Sequence, residues 1–418
     1  MQLIVIGGGV VGVTTAWELQ RDGHQVTLIE AREDVALETS FANGGQIAVT
    51  ESAPWSRPGL IREFLTNVFS QTPYGLRLRA DPAQWRWLFR FWRNTQPEVF
   101  DKAVVRNWKL AAYSLDRLQQ NRRQLGNDFH YDDRQNGILQ LIGADADLPV
   151  MKSHAASLAA HGARVDWLDG SALVAQEPAL AHAVEVGHVR AAIWGGADES
   201  GDAAMFAHKL ADVFAGQGGR VMTGTTVSGF VLNKGRIVAL STNRGELAGD
   251  AFILCAGTAS PSLAAQLGER LTLLPVKGYS LTSQVMDAQK APVTSLTDLS
   301  QRLVISRLGE RLRVAGYAEI GMAPGLNPKR IAAIRRRMQI LFPAAADYAA
   351  GEAWAGFRPM TPDGAPLVGP SEVCENLWFN TGHGTLGWTL CHATARMTAD
   401  SVMGRMTEID MEPFAPLR

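Results

Sequence analysis

The sequence predicts an α/β protein that begins with a Rossmann-like dinucleotide-binding unit. Three observations predict it. First, residues 3–30 read as an apolar strand, a helix and a second apolar strand. Second, Gly7, Gly9 and Gly12 satisfy G-x-G-x-x-G where the first strand turns into the helix. Gly7 permits the tight turn, Gly9 admits a pyrophosphate against bare backbone, and Gly12 lets the helix pack closely on the sheet. Third, the second strand ends in Glu30, a carboxylate that can accept both ribose hydroxyls of an adenosine and that disfavours a 2′-phosphate. The helix opens at Val10 and Val11, whose free N–H groups and positive dipole end suit the phosphates.

At 418 residues the chain is too long for one core and predicts about two domains. A net charge of −1 leaves no basic excess for a phosphate backbone, so nucleic acid is not an expected partner. The three cysteines, Cys255, Cys374 and Cys391, are isolated. They predict neither a zinc site nor a disulfide framework, and fit a reducing compartment. The start, "MQLIVIGGGVVGV", has no basic leader or cleavage site, so no secretory signal is expected. No apolar run reaches 18 residues, so no spanning helix is expected.

Along the chain, residues 37–60 read as a long Gly/Ser/Pro loop and 60–125 as mostly helical. Residues 137–170 read as short strands with a helix, 201–219 as an amphipathic helix with a glycine stop, and 220–257 as strands with turns at Asn233–Gly235 and Asn243–Gly245. Residues 272–320 read as β-rich and 327–343 as a helix ending before Pro343. A turn-rich stretch and a last helix fill 352–400.

The first sheet breaks off at Ala31 into "ETSFANGGQI" (38–47), where a nicotinamide dehydrogenase continues with regular βα units. Ser40, Asn43, Gly44, Gly45 and Gln46 offer backbone donors and short polar groups to a pyrophosphate and a ribityl chain, or form an ordinary surface loop. "ILCAGTAS" (253–260) is a buried strand ending in a small turn at Ala256 and Gly257, open to the same nucleotide. "GHGTLGWT" (382–389) feeds the last helix. Backbone N–H groups at Gly384, Thr385, Leu386 and Gly387 would face the electron-rich edge of a flavin, or simply cap the helix. Arg358, expected in a turn between Phe357 and Pro359, offers a planar guanidinium to a carboxylate, or pairs with Asp363.

Together "VIGGGVVGVTTAW", "ETSFANGGQI", "PVKGYSLT" (275–282), "GFRPMTPDG" (356–364) and "GHGTLGWT" resemble the FAD-dependent D-amino acid oxidase and dehydrogenase family, among them its bacterial D-amino acid dehydrogenases. The likeness covers nearly the whole chain. It implies a GR2-type, Rossmann-like FAD-binding domain made of 1–50, 195–270 and 350–418. An antiparallel-sheet α+β substrate domain of 51–194 and 271–349 would be inserted in it. It implies non-covalent FAD, with Glu30 on the adenosine ribose, Val227 meeting the adenine through its backbone, and Gly382 and His383 beside the flavin. Arg358 would hold the substrate carboxylate, with Tyr279 and Tyr317 as catalytic candidates lining the pocket. The implied reaction is oxidative deamination of a D-amino acid: hydride leaves Cα for flavin N5, and the imine is hydrolysed to a 2-oxo acid and ammonia.

The resemblance further implies a respiratory quinone or another carrier as electron acceptor. "WRWLFRFWRNTQ" (85–96) sets Trp and Phe beside Arg, as a membrane-interface segment does and as a core helix with snorkelling arginines does. The implied location is cytoplasmic, with peripheral contact at the cytoplasmic face of the inner membrane. A cyclic imino acid or sarcosine as substrate, and an electron-transfer subunit with no amine substrate of its own, stay open at this point.

Overall fold

The computed structural model describes residues 1–60, 73–160 and 162–418. The elements that place the site are, in chain order, β1 (Gln2–Ile6), α1 (Val10–Arg21), β2 (Gln25–Ile29), α2 (Pro82–Asn94), α3 (Pro97–Leu125), β3 (Leu274–Gln284), β4 (Ser295–Asp298), β5 (Leu303–Leu308), β6 (Arg311–Ile320), α4 (Pro328–Leu341), β7 (Glu352–Met360) and α5 (Gly387–Val402).

One sheet has six strands. β1 lies at its centre, between β2 and the strand Ala251–Leu254, both parallel to it. Strands buried on both faces read as continuous apolar runs, and "LIVI" and "AFIL" do. Helices α1 and α5 share a core with this sheet, through Val13, Leu19, Leu390 and Met397. Glu18 of α1 is fully buried and met by Arg117 of α3 at 3.5 Å and Arg396 of α5 at 3.2 Å. Asn380 Nδ2 donates to Thr15 Oγ1 at 2.9 Å. The two ends of the chain are therefore locked side by side, and both glycine turns sit in one place.

The second sheet is mixed and runs β7–β3–β6–β5–β4, then Ile138–Ile142, Ala191–Gly195 and Val165–Asp169, with Tyr74–Leu76 added beside β6. Its outer face packs on α4 through Leu281, Leu303, Val314, Ile334 and Met338.

Three sequence expectations are corrected here. Arg358 is in a strand, not a turn: β7 is the edge strand, where a proline such as Pro359 leaves no ladder bond unmade. Strand β7, in a segment grouped with the nucleotide domain, belongs to the second sheet, while α3, grouped with the substrate domain, buries Leu110, Ala111 and Leu118 beneath the first. A short strand, Tyr74–Leu76, interrupts the stretch read as helical over 60–125, of which 61–72 lies outside the described residues.

Helix α2 is capped by Asp81, whose Oδ1 accepts the Ala83 N–H at 2.8 Å. Trp87 and Phe91 are buried and stacked at 4.9 Å, and Trp87 Nε1 donates to the Met360 carbonyl at 2.8 Å. Trp85, Phe89 and Trp92, spaced i, i+4 and i+7, stand exposed at 50–57%. Among the described residues no helix is long and apolar enough to cross a membrane.

Candidate active site

The first glycine turn is shaped by what surrounds it. Gly7 holds φ +110°, and a Cβ there would run into the Cys255 carbonyl. A Cβ on Gly12 would overlap the Gly7 carbonyl. Gly9 is different: a Cβ there would meet only Ser40 Oγ, at 3.5 Å. The turn is thus tight beneath and open above. Glu30 grips the turn itself. Its Oε2 accepts the Gly8 N–H at 2.6 Å and its Oε1 the Arg32 N–H at 2.7 Å. Carboxylate oxygens have lone pairs beyond these two bonds. The Glu30 carbonyl accepts Thr225 N–H at 2.9 Å, which brings the start of the strand holding Val227 alongside. Ala256 and Gly257 follow the strand next to β1, and both are half-buried.

The loop 38–47 is a bridge between the sheets. Ser306 Oγ donates to the Gly44 carbonyl at 2.7 Å, and Gly201 N–H to the Gly45 carbonyl at 2.8 Å. A Cβ on Gly44 would strike Val304, so this glycine lets the loop lie directly on the second sheet. Three side chains expected on the cofactor are held by the protein instead. Ser40 Oγ accepts the Val10 N–H at 3.0 Å. Asn43 Oδ1 accepts the Gly45 N–H at 2.8 Å. Gln46 Nε2 donates to Ser295 and Thr297, each at 3.1 Å. A loop that joins two sheets must satisfy its own polar groups in the seam.

The second glycine turn is clipped to β7. Gly384 N–H donates to the Pro359 carbonyl at 2.9 Å, and His383 bridges Met360. Gly382 and Gly384 hold φ +77° and +57°, which favours glycine. Gly384, Leu386 and Gly387 are half-buried and Thr385 exposed, so this edge of the turn is open. The N-cap residue Leu386 makes no side-chain cap bond, so first-turn N–H groups of α5 are not satisfied from there. His383 is the exception. Its ring is buried, Nε2 lies 2.9 Å from Thr394 Oγ1, and burial drives its pKa down to about 3. It offers main chain, not a side chain.

Arg358 lies between the loop 38–47 and the second glycine turn. Thr39 Oγ1 donates to the Phe357 carbonyl at 2.7 Å on one side of it, and Gly384 holds Pro359 on the other. Its guanidinium crosses over Gly278, where any Cβ would overlap it, and Nη1 donates to the Tyr317 carbonyl at 2.7 Å. Among the described residues no carboxylate pairs with it. Asp363 is taken by Arg106 and Arg418, each at 3.1 Å. Burial alone draws the Arg358 pKa down to about 10, which marks a desolvated cation waiting for an anion.

The tyrosine assignments are corrected. Side chains alternate along a strand. Arg358 fills the space above Gly278, so Tyr279 points the other way, into the core beneath α4. There its hydroxyl donates to Glu319 Oε2 at 2.6 Å. Tyr317 stands at the bulge where the β3–β6 register shifts, with φ +60°. Its ring packs against Tyr279 at 6.3 Å, and its carbonyl alone reaches Arg358. Sequence reasoning used Gly278 only as part of a motif. Its role, clearing the path of a guanidinium from the next strand, depends on register.

The βαβ glycine turn, a second helix N-terminus and a buried guanidinium that no carboxylate among the described residues pairs with thus come from three separate parts of the chain. The family model for FAD-dependent oxidoreductases matches residues 2–401. The chain belongs to the FAD-dependent oxidoreductase family. A protein of Rhizorhabdus wittichii named D-amino acid dehydrogenase is 38% identical over 421 residues, 99% of each chain. One of the same name from Cereibacter sphaeroides is 40% identical, over 98% of this chain and 93% of its own. The crystal structure of glycine oxidase from Geobacillus kaustophilus superposes with a TM-score of 0.77 at 21% identity, over 100% of this chain and 98% of that one, a likeness of fold. The cofactor of this FAD-dependent oxidoreductase is FAD. The cradle fits it: Gly9 leaves open space before α1, and Glu30 stands at the ribose position of the βαβ unit.

Proposed function

We propose that the protein oxidises D-amino acids to 2-oxo acids and ammonia. The observation that carries this reading is the buried guanidinium of Arg358, unpaired among the described residues and set between the loop 38–47 and the second glycine turn. A desolvated arginine with two free donor directions binds a carboxylate in two parallel bonds. Full-length relatives named D-amino acid dehydrogenase support the substrate class.

Bound FAD supplies a two-electron acceptor for the hydrogen on Cα. The chain supplies the rest. Arg358 fixes the carboxylate, and Gly278 beneath it leaves room for the guanidinium. The turn at Gly384–Gly387 presents N–H groups and a helix dipole to charge that accumulates on the flavin edge. Glu30 and the Gly9 turn would hold the adenosine diphosphate end of FAD without a covalent bond. Positioning of this kind supplies much of the acceleration in an oxidation that needs near-contact between reacting atoms.

The test is anaerobic addition of D-alanine to the yellow, FAD-loaded protein. D-alanine bleaches the flavin absorbance and yields pyruvate and ammonia; L-alanine does neither. Bleaching by D-proline or sarcosine alone would move the reading to a secondary amine. No bleaching by any amine would leave an electron-transfer subunit. Acid precipitation releases FAD into the supernatant if it is not covalently held.

We further propose that electrons leave to a quinone and that α2 rests on an anionic membrane surface. Trp85, Phe89 and Trp92 form one exposed stripe, with Arg86, Arg90 and Arg93 exposed beside it. Exposed Leu76 and Leu78 precede the helix. Aromatic rings with flanking arginines suit the headgroup level of a bilayer.

A further inference from the structure

One buried carboxylate has no assigned task. Glu51 follows the bridging loop. Its Oε1 is buried and has no hydrogen-bond partner among the described residues, and Thr297, Asp198 and Arg302 lie close around the carboxylate. A buried carboxylate oxygen without a donor is expensive and asks for a ligand.

Register places this carboxylate relative to Arg358. Trp354, Ser280, Ala315, Val304 and Thr297 form one row across β7, β3, β6, β5 and β4. Arg358 holds the Tyr317 carbonyl on β6; Glu51 meets Thr297 on β4, two strands away. At about 4.8 Å per strand, and with Tyr317 about 7 Å along β6 from that row, roughly 12 Å separates the two ends. That is about the span from a guanidinium, through the carboxylate and amine of an α-amino acid, to a second carboxylate. Between these ends the chain crosses the same face. Trp55 packs 5.6 Å from Tyr74 and 5.5 Å from Phe91, in the apolar cluster of Val276 and Met360 that flanks Arg358.

We propose that Glu51 is the proton acceptor for the α-ammonium group of the substrate, a role that rests on the D-amino acid reading above. An N–H bond of the ammonium breaks and an O–H bond forms on the Glu51 carboxylate. The electron pair left on nitrogen becomes the C=N bond when the Cα hydrogen departs with its two electrons to bound FAD. The imine is hydrolysed, and Glu51 returns its proton to water.

The environment suits the task. Burial raises the Glu51 pKa to about 7, Asp198 adds to the rise, and Thr297 and Arg302 oppose it. A base poised near the working pH transfers protons most effectively. Asp198 also titrates high, at about 6, but its oxygens are occupied by the Val49 N–H at 2.8 Å and by the Thr50 hydroxyl.

The experiment is anaerobic flavin reduction by D-alanine from about pH 5.5 to 10, with wild type, Glu51→Gln, Glu51→Asp and Asp198→Asn. Wild type rises through an apparent pKa near 7. Glu51→Gln is slower by about 10²-fold or more at neutral pH and recovers only as the ammonium ionises by itself. Glu51→Asp restores part of the neutral rate, and Asp198→Asn, which removes a charge that raises the Glu51 pKa, keeps the rise but moves it to lower pH. A second readout is calorimetric binding of propanoate, which has the carboxylate and no amine; Glu51→Gln leaves it unchanged. A Glu51→Gln profile that tracks wild type overturns the inference, as does equal loss of propanoate binding. If no D-amino acid reduces the wild type, the functional reading fails and takes this one with it.

Discussion

Arg358 donates Nη1 to the carbonyl of Tyr317 at 2.7 Å, and Tyr317 turns that carbonyl inward by adopting φ +60°. A left-handed tyrosine costs about 1–2 kcal/mol. The bulge sets the guanidinium over Gly278 and leaves its remaining donors to the crevice. Replacing Arg358 by Lys keeps the charge and loses the fork. With charged hydrogen bonds at about 1.5–3 kcal/mol each, kcat/KM for D-alanine falls about 10²–10⁴-fold while FAD content stays the same. Steady-state kinetics with flavin quantitation check both halves.

Tyr279 is buried on the opposite face, so Tyr279→Phe acts on stability and not on rate. Its hydroxyl is the donor to Glu319, and removing it leaves a buried acceptor one bond short, about 1–3 kcal/mol. The expected result is a lower denaturant midpoint and a reduction rate within a few-fold of wild type. A rate loss without a stability loss would return Tyr279 to the pocket.

Gly9 and Gly12 separate cofactor binding from folding. Gly12→Ala drives a methyl into the Gly7 carbonyl, and the protein does not accumulate in folded form. Gly9→Ala meets only Ser40 Oγ, so it folds, and its methyl occupies space a phosphate needs. Gly9→Ala is therefore expected as a folded, colourless protein with weakened FAD affinity, seen by circular dichroism and flavin fluorescence.

His392, in α5, is buried, and its pKa is pushed to about 3, first by burial and then by Arg117 and Arg122. The unfolded chain takes up the proton near pH 6.5 and the folded one does not. The stability tied to this neutral imidazole is present above about pH 6.5 and is lost as pH falls toward 3, at up to about 1.4 kcal/mol per pH unit. Chemical denaturation at pH 7 and pH 5 gives a smaller difference for His392→Gln than for wild type.

Serine in place of Trp85, Phe89 and Trp92 leaves the Trp87–Phe91 core of α2 intact. The triple variant reduces D-alanine-bleached rates little and no longer co-sediments with vesicles rich in anionic lipid. Unchanged sedimentation would rule out this face as the membrane contact.

The sequence alone determined the βαβ unit at the start of this protein. Gly7, Gly9, Gly12 and Glu30 lie within it, and the strand, tight turn and helix they predict are the ones observed. Five ordered motifs in the sequence carried the family likeness as well, and the match over residues 2–401 agrees with it. The substrate end was decided by tertiary structure. Whether Tyr279 meets substrate or core depends on which face of β3 it occupies, and a period of two makes neighbours opposite. Whether Asn43 and Gln46 are free depends on a seam between two sheets. The isolation of Arg358 and the reach of Glu51 arise between strands distant in sequence, and no local pattern in the sequence records which carboxylates lie beyond pairing distance.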